Sequence, residues 1–413
     1  MSPPQGKVAF VTGANGITGN AIVEHLIRQP KTEWSKIVIT SRRKPAQLLW
    51  QDPRLRFIPL DLLNHVDEII DAIRPLCADV THAFFASYVH DADFAKLAAY
   101  NVPLFTNFLT AIDAAAGNSL QRICLHTGGK YYGAHLGPLE VPLHEGMQRR
   151  SATLPVLILL DSRKLVTPAD THIAGNGMSE ALTLAVYMLC CREMGQVPLF
   201  PGNKFFYNCI DDVSYAPGIA DMSIWAATSE HTKNEAFIHS NGDVFMWKYF
   251  WPKLGRYFGI DIPEQDEWNA LGESERMEHN FHMRDWAKDK KQVWERVVAK
   301  HGGNPEAFDW GTWDFFDWAL GKAWCTVSSP SKARKFGWTR FDDTYESYVE
   351  TFHSFENAGV LPHSSNWEGL QEQEKPAKLP NPRDLAIARL GKGKSTHPVV
   401  QNGVENHLLK ETV

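Results

Sequence analysis

The stretch from Lys7 to Gly19 constrains the fold more than any other. Lys7-Val8-Ala9-Phe10-Val11-Thr12 is a strand-forming run, and glycines at 13, 16 and 19 follow it at once. Ile22, Val23, Leu26 and Ile27 then recur on one face of a helix. A strand that enters a glycine turn and opens a helix makes a phosphate cradle. Gly13 permits the tight turn, Gly16 lets a pyrophosphate approach the backbone, and Gly19 lets helix and strand pack closely. The helix start points N–H groups and a partial positive charge at the phosphates. Thr12, Gly13, Asn15, Gly16, Ile17 and Gly19 are therefore the expected cofactor contacts of this turn.

Strands and helices alternate after it. Lys36-Ile37-Val38-Ile39-Thr40, Leu55-Arg56-Phe57-Ile58-Pro59-Leu60, His82-Ala83-Phe84-Phe85-Ala86 and Arg122-Ile123-Cys124-Leu125-His126 read as further strands. Val66, Ile69, Ile70 and Ile73 mark one intervening helix, and residues 93–115 form a longer one. Such alternation predicts an α/β fold, a Rossmann-type doubly wound parallel sheet whose ligand lies at the carboxyl ends of the strands. Most of the 14 tryptophans fall in the second half, where helices are expected at 213–227, 245–258 and 285–301. They suggest a mainly helical substrate-binding cap, although most of its aromatics read as ordinary core filling. The division expected is a cofactor domain over 1–200, a cap region with returning core elements over 201–365, and a flexible tail over 366–413.

A chain of 413 residues with 44% hydrophobic residues can bury one large core or two smaller ones. Its net charge of -6, without a basic block, argues against nucleic acid and anionic membrane as partners. A small organic substrate fits better. The six cysteines lie mostly in apolar segments and read as reduced, buried thiols. With no signal peptide and no apolar run of membrane-spanning length, a cytoplasmic protein is expected.

Each strand end carries candidate site residues. Ser41-Arg42-Arg43 follows the second strand, where an acidic residue would hold the ribose 2′-OH of NAD and arginine would meet the 2′-phosphate of NADP. Arg42 and Arg43 therefore select NADP(H). Asp61 and Leu62 are the expected adenine contacts, and Ala86, Ser87 and Tyr88 line the nicotinamide ribose. Thr127 and Gly128 lead into Lys130, Tyr131 and Tyr132 at the catalytic end of the sheet. A lysine there orients the ribose or lowers a phenol pKa, and a tyrosine hydroxyl can protonate a carbonyl or enolate oxygen. No metal site is expected: His279-Asn280-Phe281-His282 lacks ligand company and His144 lacks a second histidine. Asp211-Asp212 reads as a helix cap.

With Thr12 to Gly19, Arg42-Arg43, Thr127-Gly128-Gly129-Lys130-Tyr131-Tyr132-Gly133, Pro198-Leu199-Phe200-Pro201-Gly202, Ile224-Trp225-Ala226-Ala227, Asn234-Glu235-Ala236-Phe237 and Asn241-Gly242-Asp243-Val244-Phe245-Met246-Trp247-Lys248, the chain resembles the progesterone 5β-reductase and iridoid synthase family (PRISE). The likeness runs from about residue 7 to about 360 and suits a fungal branch with members in secondary-metabolite pathways. It implies an atypical short-chain dehydrogenase that reduces enone or enal carbons with NADPH. The family's catalytic lysine falls on Lys130, the histidine after it is Tyr131 here, and the motif's tyrosine is Tyr132.

The family's second catalytic tyrosine has no counterpart. No tyrosine lies between Tyr132 and Tyr187, and Leu154-Pro155-Val156-Leu157-Ile158-Leu159-Leu160-Asp161 reads as an apolar strand or buried segment in a shortened interval. Losing one such donor costs about 10²–10³ in rate. Tyr131 or Tyr132 supplies the hydroxyl in the leading reading, an NADP(H)-dependent oxidoreductase acting on an enone, enal or ketone of a small hydrophobic metabolite. A redox-silent cyclase or isomerase is the alternative, and a cofactor-sensing regulator ranks below both. The sequence leaves open whether the protein is a homodimer.

Overall fold

The computed structural model describes residues 6–43, 52–90, 96–134, 136–148, 180–266, 268 and 279–366, and the backbone of 165–166. The first elements are β1 (Lys7–Thr12), α1 (Ile17–Arg28), β2 (Trp34–Ser41), β3 (Leu55–Pro59), α2 (Val66–Cys77), β4 (His82–Phe85), α3 (Leu97–Ala116) and β5 (Arg122–Leu125). All five strands are parallel, in the order β3-β2-β1-β4-β5, and Val11 lies between Ile39 of β2 and Phe84 of β4.

Central strands of such a sheet are covered on both faces, which is why β1 reads as a nearly unbroken apolar run. Its side chains still sort by parity. Ala9 and Val11 join Ile22, Val23 and Leu26 of α1 with Ile37, Ile39 and Phe84, whereas Val8 and Phe10 join Ile69 and Ile73 of α2 and Phe105 and Phe108 of α3. The strand order reverses between β1 and β4, and the cleft at their carboxyl ends is where such sheets take a ligand.

The later elements are β6 (Leu165–Val166), α4 (Glu180–Glu193), α5 (Lys204–Asn208), β7 (Ile210–Asp211), β8 (Ser214–Tyr215), α6 (Ala216–Thr228), β9 (Phe245–Met246), α7 (Trp247–Tyr257), α8 (Met283–Ala287), α9 (Lys291–His301), α10 (Trp313–Leu320), α11 (Ser331–Lys335) and α12 (Thr344–Asn357). β6 pairs in parallel with β8, and β7 antiparallel with β9. Phe200 anchors an aromatic group, its ring 5.3 Å from Tyr207, 5.6 Å from Trp247 and 5.3 Å from Trp251. The indole N–H of Trp251 donates to the Pro198 carbonyl at 2.8 Å, and the Tyr187 hydroxyl donates to that of Leu199 at 2.9 Å. Trp247, Trp251 and Trp294 are core filling, each fully buried.

Four readings change with the structure in hand. The helix expected at 213–227 is not a cap element: α6 returns to the sheet, where Ile219, Ala220 and Met222 pack in the same layer as α1. Asp211 and Asp212 do not cap it. Both are buried; Asp211 accepts the Trp247 indole N–H at 3.1 Å and Asp212 accepts the Ser328 backbone N–H at 2.8 Å. Folding also brings Cys209 and Cys325, 116 residues apart, into a disulfide, whereas Cys77, Cys124, Cys190 and Cys191 are buried thiols as expected. His279 and His282 do have ligand company, because Asp317 of α10 lies beside both. The readings made for 154–161 and for the tail from 367 onward lie outside the described residues.

Packing at Gly19 leaves no room for a methyl group. A Cβ there would stand 2.3 Å from the Gly13 carbonyl oxygen and 2.9 Å from that of Thr12, both backbone atoms. Gly19→Ala is expected to lower stability by about 1–3 kcal/mol, the usual cost of overpacking. Urea unfolding of the two proteins checks this, and an unchanged midpoint would contradict it.

Candidate functional site

The glycine turn joins three strand ends. Gly13 adopts φ +64°, in the left-handed region. A Cβ on it would lie 2.4 Å from the Ala86 carbonyl oxygen and 3.0 Å from the Ser87 nitrogen, so β1 and β4 meet here backbone to backbone. Thr12 is buried and its Oγ1 accepts the Ala86 N–H at 3.2 Å. Gly16 holds the N-cap position of α1 with no side-chain cap, and its own N–H donates to the Gly13 carbonyl at 2.7 Å. Among the described residues other than its chain neighbours, a Cβ at Gly16 would meet the Gly13 oxygen alone within 4 Å, at 3.2 Å. Ile17 begins α1 and is 3% exposed.

Asn15 is exposed and ties this turn to the next strand end, its Nδ2 donating to the Arg43 carbonyl at 2.7 Å. Ser41 Oγ donates to the same carbonyl at 2.7 Å. Arg42 and Arg43 are exposed, and among the described residues neither forms an ion pair. The Leu60 N–H donates to the Ser41 carbonyl, which places Asp61 and Leu62 beside this turn. Asp61 Oδ1 accepts the Leu63 N–H at 3.0 Å, and Leu62 is buried.

Lys130, Tyr131 and Tyr132 follow Thr127 and Gly128 in a single 3₁₀ turn, Gly129–Tyr132, closed by the Tyr131 N–H on the Gly128 carbonyl and by left-handed Gly133. Lys130 Nζ donates to the Tyr88 hydroxyl at 3.4 Å and lies 5.8 Å from the Tyr88 ring centre. Burial lowers the Lys130 pKa from its usual value. Tyr131 is partly exposed; Tyr132 is 1% exposed and packs with Leu143 and Ile238. The structure thus joins Lys130 to Tyr88, which the sequence placed at the ribose. No local spacing signals a pair 42 residues apart. The signal available was that both residues follow neighbouring strands.

A cavity of about 410 Å³ lies along the later turns of α1, lined by Glu24, His25, Arg28, Tyr215, Arg340 and Glu350 among others. Its charged groups are engaged with protein partners: Arg28 with Glu24 at 3.6 Å, Arg340 with Asp342 at 2.8 Å, and Glu350 with the Tyr215 hydroxyl at 2.8 Å. It offers no strand-end chemistry.

The PRISE-like Rossmann-fold domain family matches residues 9–165. The chain is 38% identical over 377 residues to the short chain dehydrogenase gsfE of Penicillium aethiopicum, covering 86% of this chain and 99% of that one. The chain belongs to the PRISE-like family. This PRISE-like chain is also 30% identical over 382 residues to the (S)-8-oxocitronellyl enol synthase ISY1 of Nepeta cataria, covering 86% and 93% of the two chains. Its fold is shared with WbmG of Bordetella bronchiseptica, solved with NAD and UDP (TM-score 0.56, 15% identity, 88% and 98% covered), and with UDP-glucuronic acid 4-epimerase of Bacillus cereus, solved with UDP-glucuronic acid and NAD (TM-score 0.55, 12% identity, 85% and 99% covered). Among the described residues, no helix is long and apolar enough to cross a membrane.

His126, immediately before Thr127, sits between the Phe85 carbonyl at 3.1 Å and the Ser223 hydroxyl at 2.9 Å. Burial lowers its pKa from 6.5 to about 4, and burial lowers that of His82 likewise to about 4. Between about pH 6.5 and 4 the unfolded chain therefore binds more protons than the folded one, and stability falls as the pH drops through that window. His126→Asn is expected to shrink the stability lost between pH 7 and pH 4.5, as read by urea unfolding. Equal losses in both proteins would show that His126 does not titrate this way.

Proposed function

We propose that the chain is an NADP(H)-dependent reductase that acts on an enone, enal or ketone of a small hydrophobic metabolite. The observation that carries this reading is the Lys130–Tyr88 pair beside the glycine turn, at the carboxyl ends of β5 and β4. The residues fit a dinucleotide: Gly16 presents no side chain at the start of α1, that helix starts without a side-chain cap, and the turn after β2 offers two exposed guanidinium groups and no carboxylate. Relatives named as a short chain dehydrogenase and an enol synthase support the reaction class. Neighbours solved with NAD support the cofactor class.

When bound, the nicotinamide supplies hydride to a substrate carbon. The chain's own part is to hold the oxygen that becomes negative. Tyr88 is 45% exposed, so its hydroxyl can reach a carbonyl oxygen, and the Lys130 ammonium favours the charge that builds there. Tyr131 offers a second hydroxyl, and Tyr132 supports the turn from below. Because Lys130 must keep its proton and burial lowers its pKa, activity falls on the alkaline side at a lower pH than an exposed lysine would set.

Oxidation of NADPH at saturating enone tests the site. Lys130→Met and Tyr88→Phe are each expected to lower kcat by about 10²–10³, as loss of an oxyanion donor does. Unchanged rates in both would remove the mechanism, and product formed without loss of NADPH would favour an isomerase. Cofactor binding is tested separately by calorimetry. Arg42→Ala with Arg43→Ala should weaken NADPH and leave NADH nearly unchanged, and Gly16→Ala should weaken both.

A further inference from the structure

We infer that His279, His282 and Asp317 form a binding site for a divalent transition-metal ion of the zinc class. One donor atom from each lies within 4.8 Å of the other two. The set joins the turn before α8 to α10, two segments that the chain separates by 38 residues at the His279–Asp317 contact.

Each member is poised as a ligand rather than as a plain hydrogen-bonding group. The His279 Nε2–H donates to the Asp317 backbone carbonyl at 2.7 Å, which assigns the proton to Nε2 and leaves Nδ1 with a lone pair. A ligating imidazole is usually held this way, through a bond from its other nitrogen to a carbonyl. His282 Nδ1 is a buried atom with no hydrogen-bond partner among the described residues, and it stands 3.7 Å from Asp317 Oδ2. That gap is too long for a hydrogen bond. It is close to the spacing of about 3.4 Å between two donors bound at 2.0–2.1 Å to one tetrahedral ion.

Asp317 is 7% exposed and oriented from behind, Oδ1 accepting the Met283 N–H at 2.5 Å and Oδ2 the Arg284 N–H at 3.2 Å. A carboxylate oxygen with one such bond keeps a lone pair for a cation. The imidazole rings lie 4.5 Å apart. Gly321 makes the room for His279, since a Cβ on it would fall 2.3 Å from Cε1 and 2.4 Å from Nε2. Two nitrogens and one carboxylate oxygen suit zinc or cobalt and leave a position for water, whereas magnesium and calcium select oxygen donors. A bound ion would clasp α10 to the turn whose Asn280 N–H donates to the Gly202 carbonyl at 2.8 Å.

The test uses the full chain, freed of metal by chelator, titrated with zinc chloride by calorimetry and with cobalt chloride by visible absorption. One equivalent of zinc is expected to bind and raise Tm. Cobalt should give the d–d bands of a four- or five-coordinate nitrogen and oxygen site. His282→Ala, at a side chain 42% exposed, should fold and bind zinc about 100-fold more weakly or worse. Asp317→Asn keeps an acceptor oxygen for the α8 N–H groups and should weaken zinc to the same extent. If wild type binds no zinc or cobalt, or if both variants bind as wild type does, the site does not exist.

Discussion

The structure depends first on how closely the backbones of β1 and β4 meet. Gly13 lies against Ala86 and Ser87 with no space for a side chain, and Thr12 Oγ1 bonds the Ala86 N–H from the neighbouring position. This contact sets where the strand order reverses and therefore where the cleft opens. It also fixes the direction in which the chain leaves β4, and so the place of Tyr88. Lys130, leaving β5 one strand away, meets Tyr88 because both exits are held by the same sheet. A wider turn at residue 13 would push the β4 exit away and part the two side chains.

The sheet was legible because its residues repeat a local pattern. Apolar strands, glycines at a fixed spacing and helices with one apolar face each carry their information within about a dozen residues. The glycine turn between β1 and α1 was legible for the same reason. What the sequence did not show were pairings made by the fold: Cys209 with Cys325, Asp211 with Trp247, Asp317 with two histidines, and Tyr88 with Lys130. Asp211 and Asp212 looked like a cap because two acids before an apolar run usually are one. Here Tyr215 occupies the N-cap position of α6, Pro217 sits in its first turn, and the acids turn inward to satisfy an indole and a backbone N–H.

Aromatic enrichment in the second half likewise has a packing cause. Phe200 and its ring partners form a hub, and the 198–202 stretch is tied by three side-chain hydrogen bonds to its carbonyls. A segment with two prolines and a glycine cannot hold itself by helix or strand bonds, so its carbonyls are met by Tyr187, Trp251 and Asn280. Buried indoles and phenols suit this role, since each brings a large apolar body and one donor.

The return of α6 to the sheet bears on how the chain can be made. Ile219, Ala220 and Met222 share a layer with Ile22, Leu26 and Ile39, residues synthesised some two hundred positions earlier. A nascent chain that has released only its five parallel strands presents that layer bare to water or to a chaperone. Cutting the gene after β5 would therefore yield a fragment with one finished face and one sticky one.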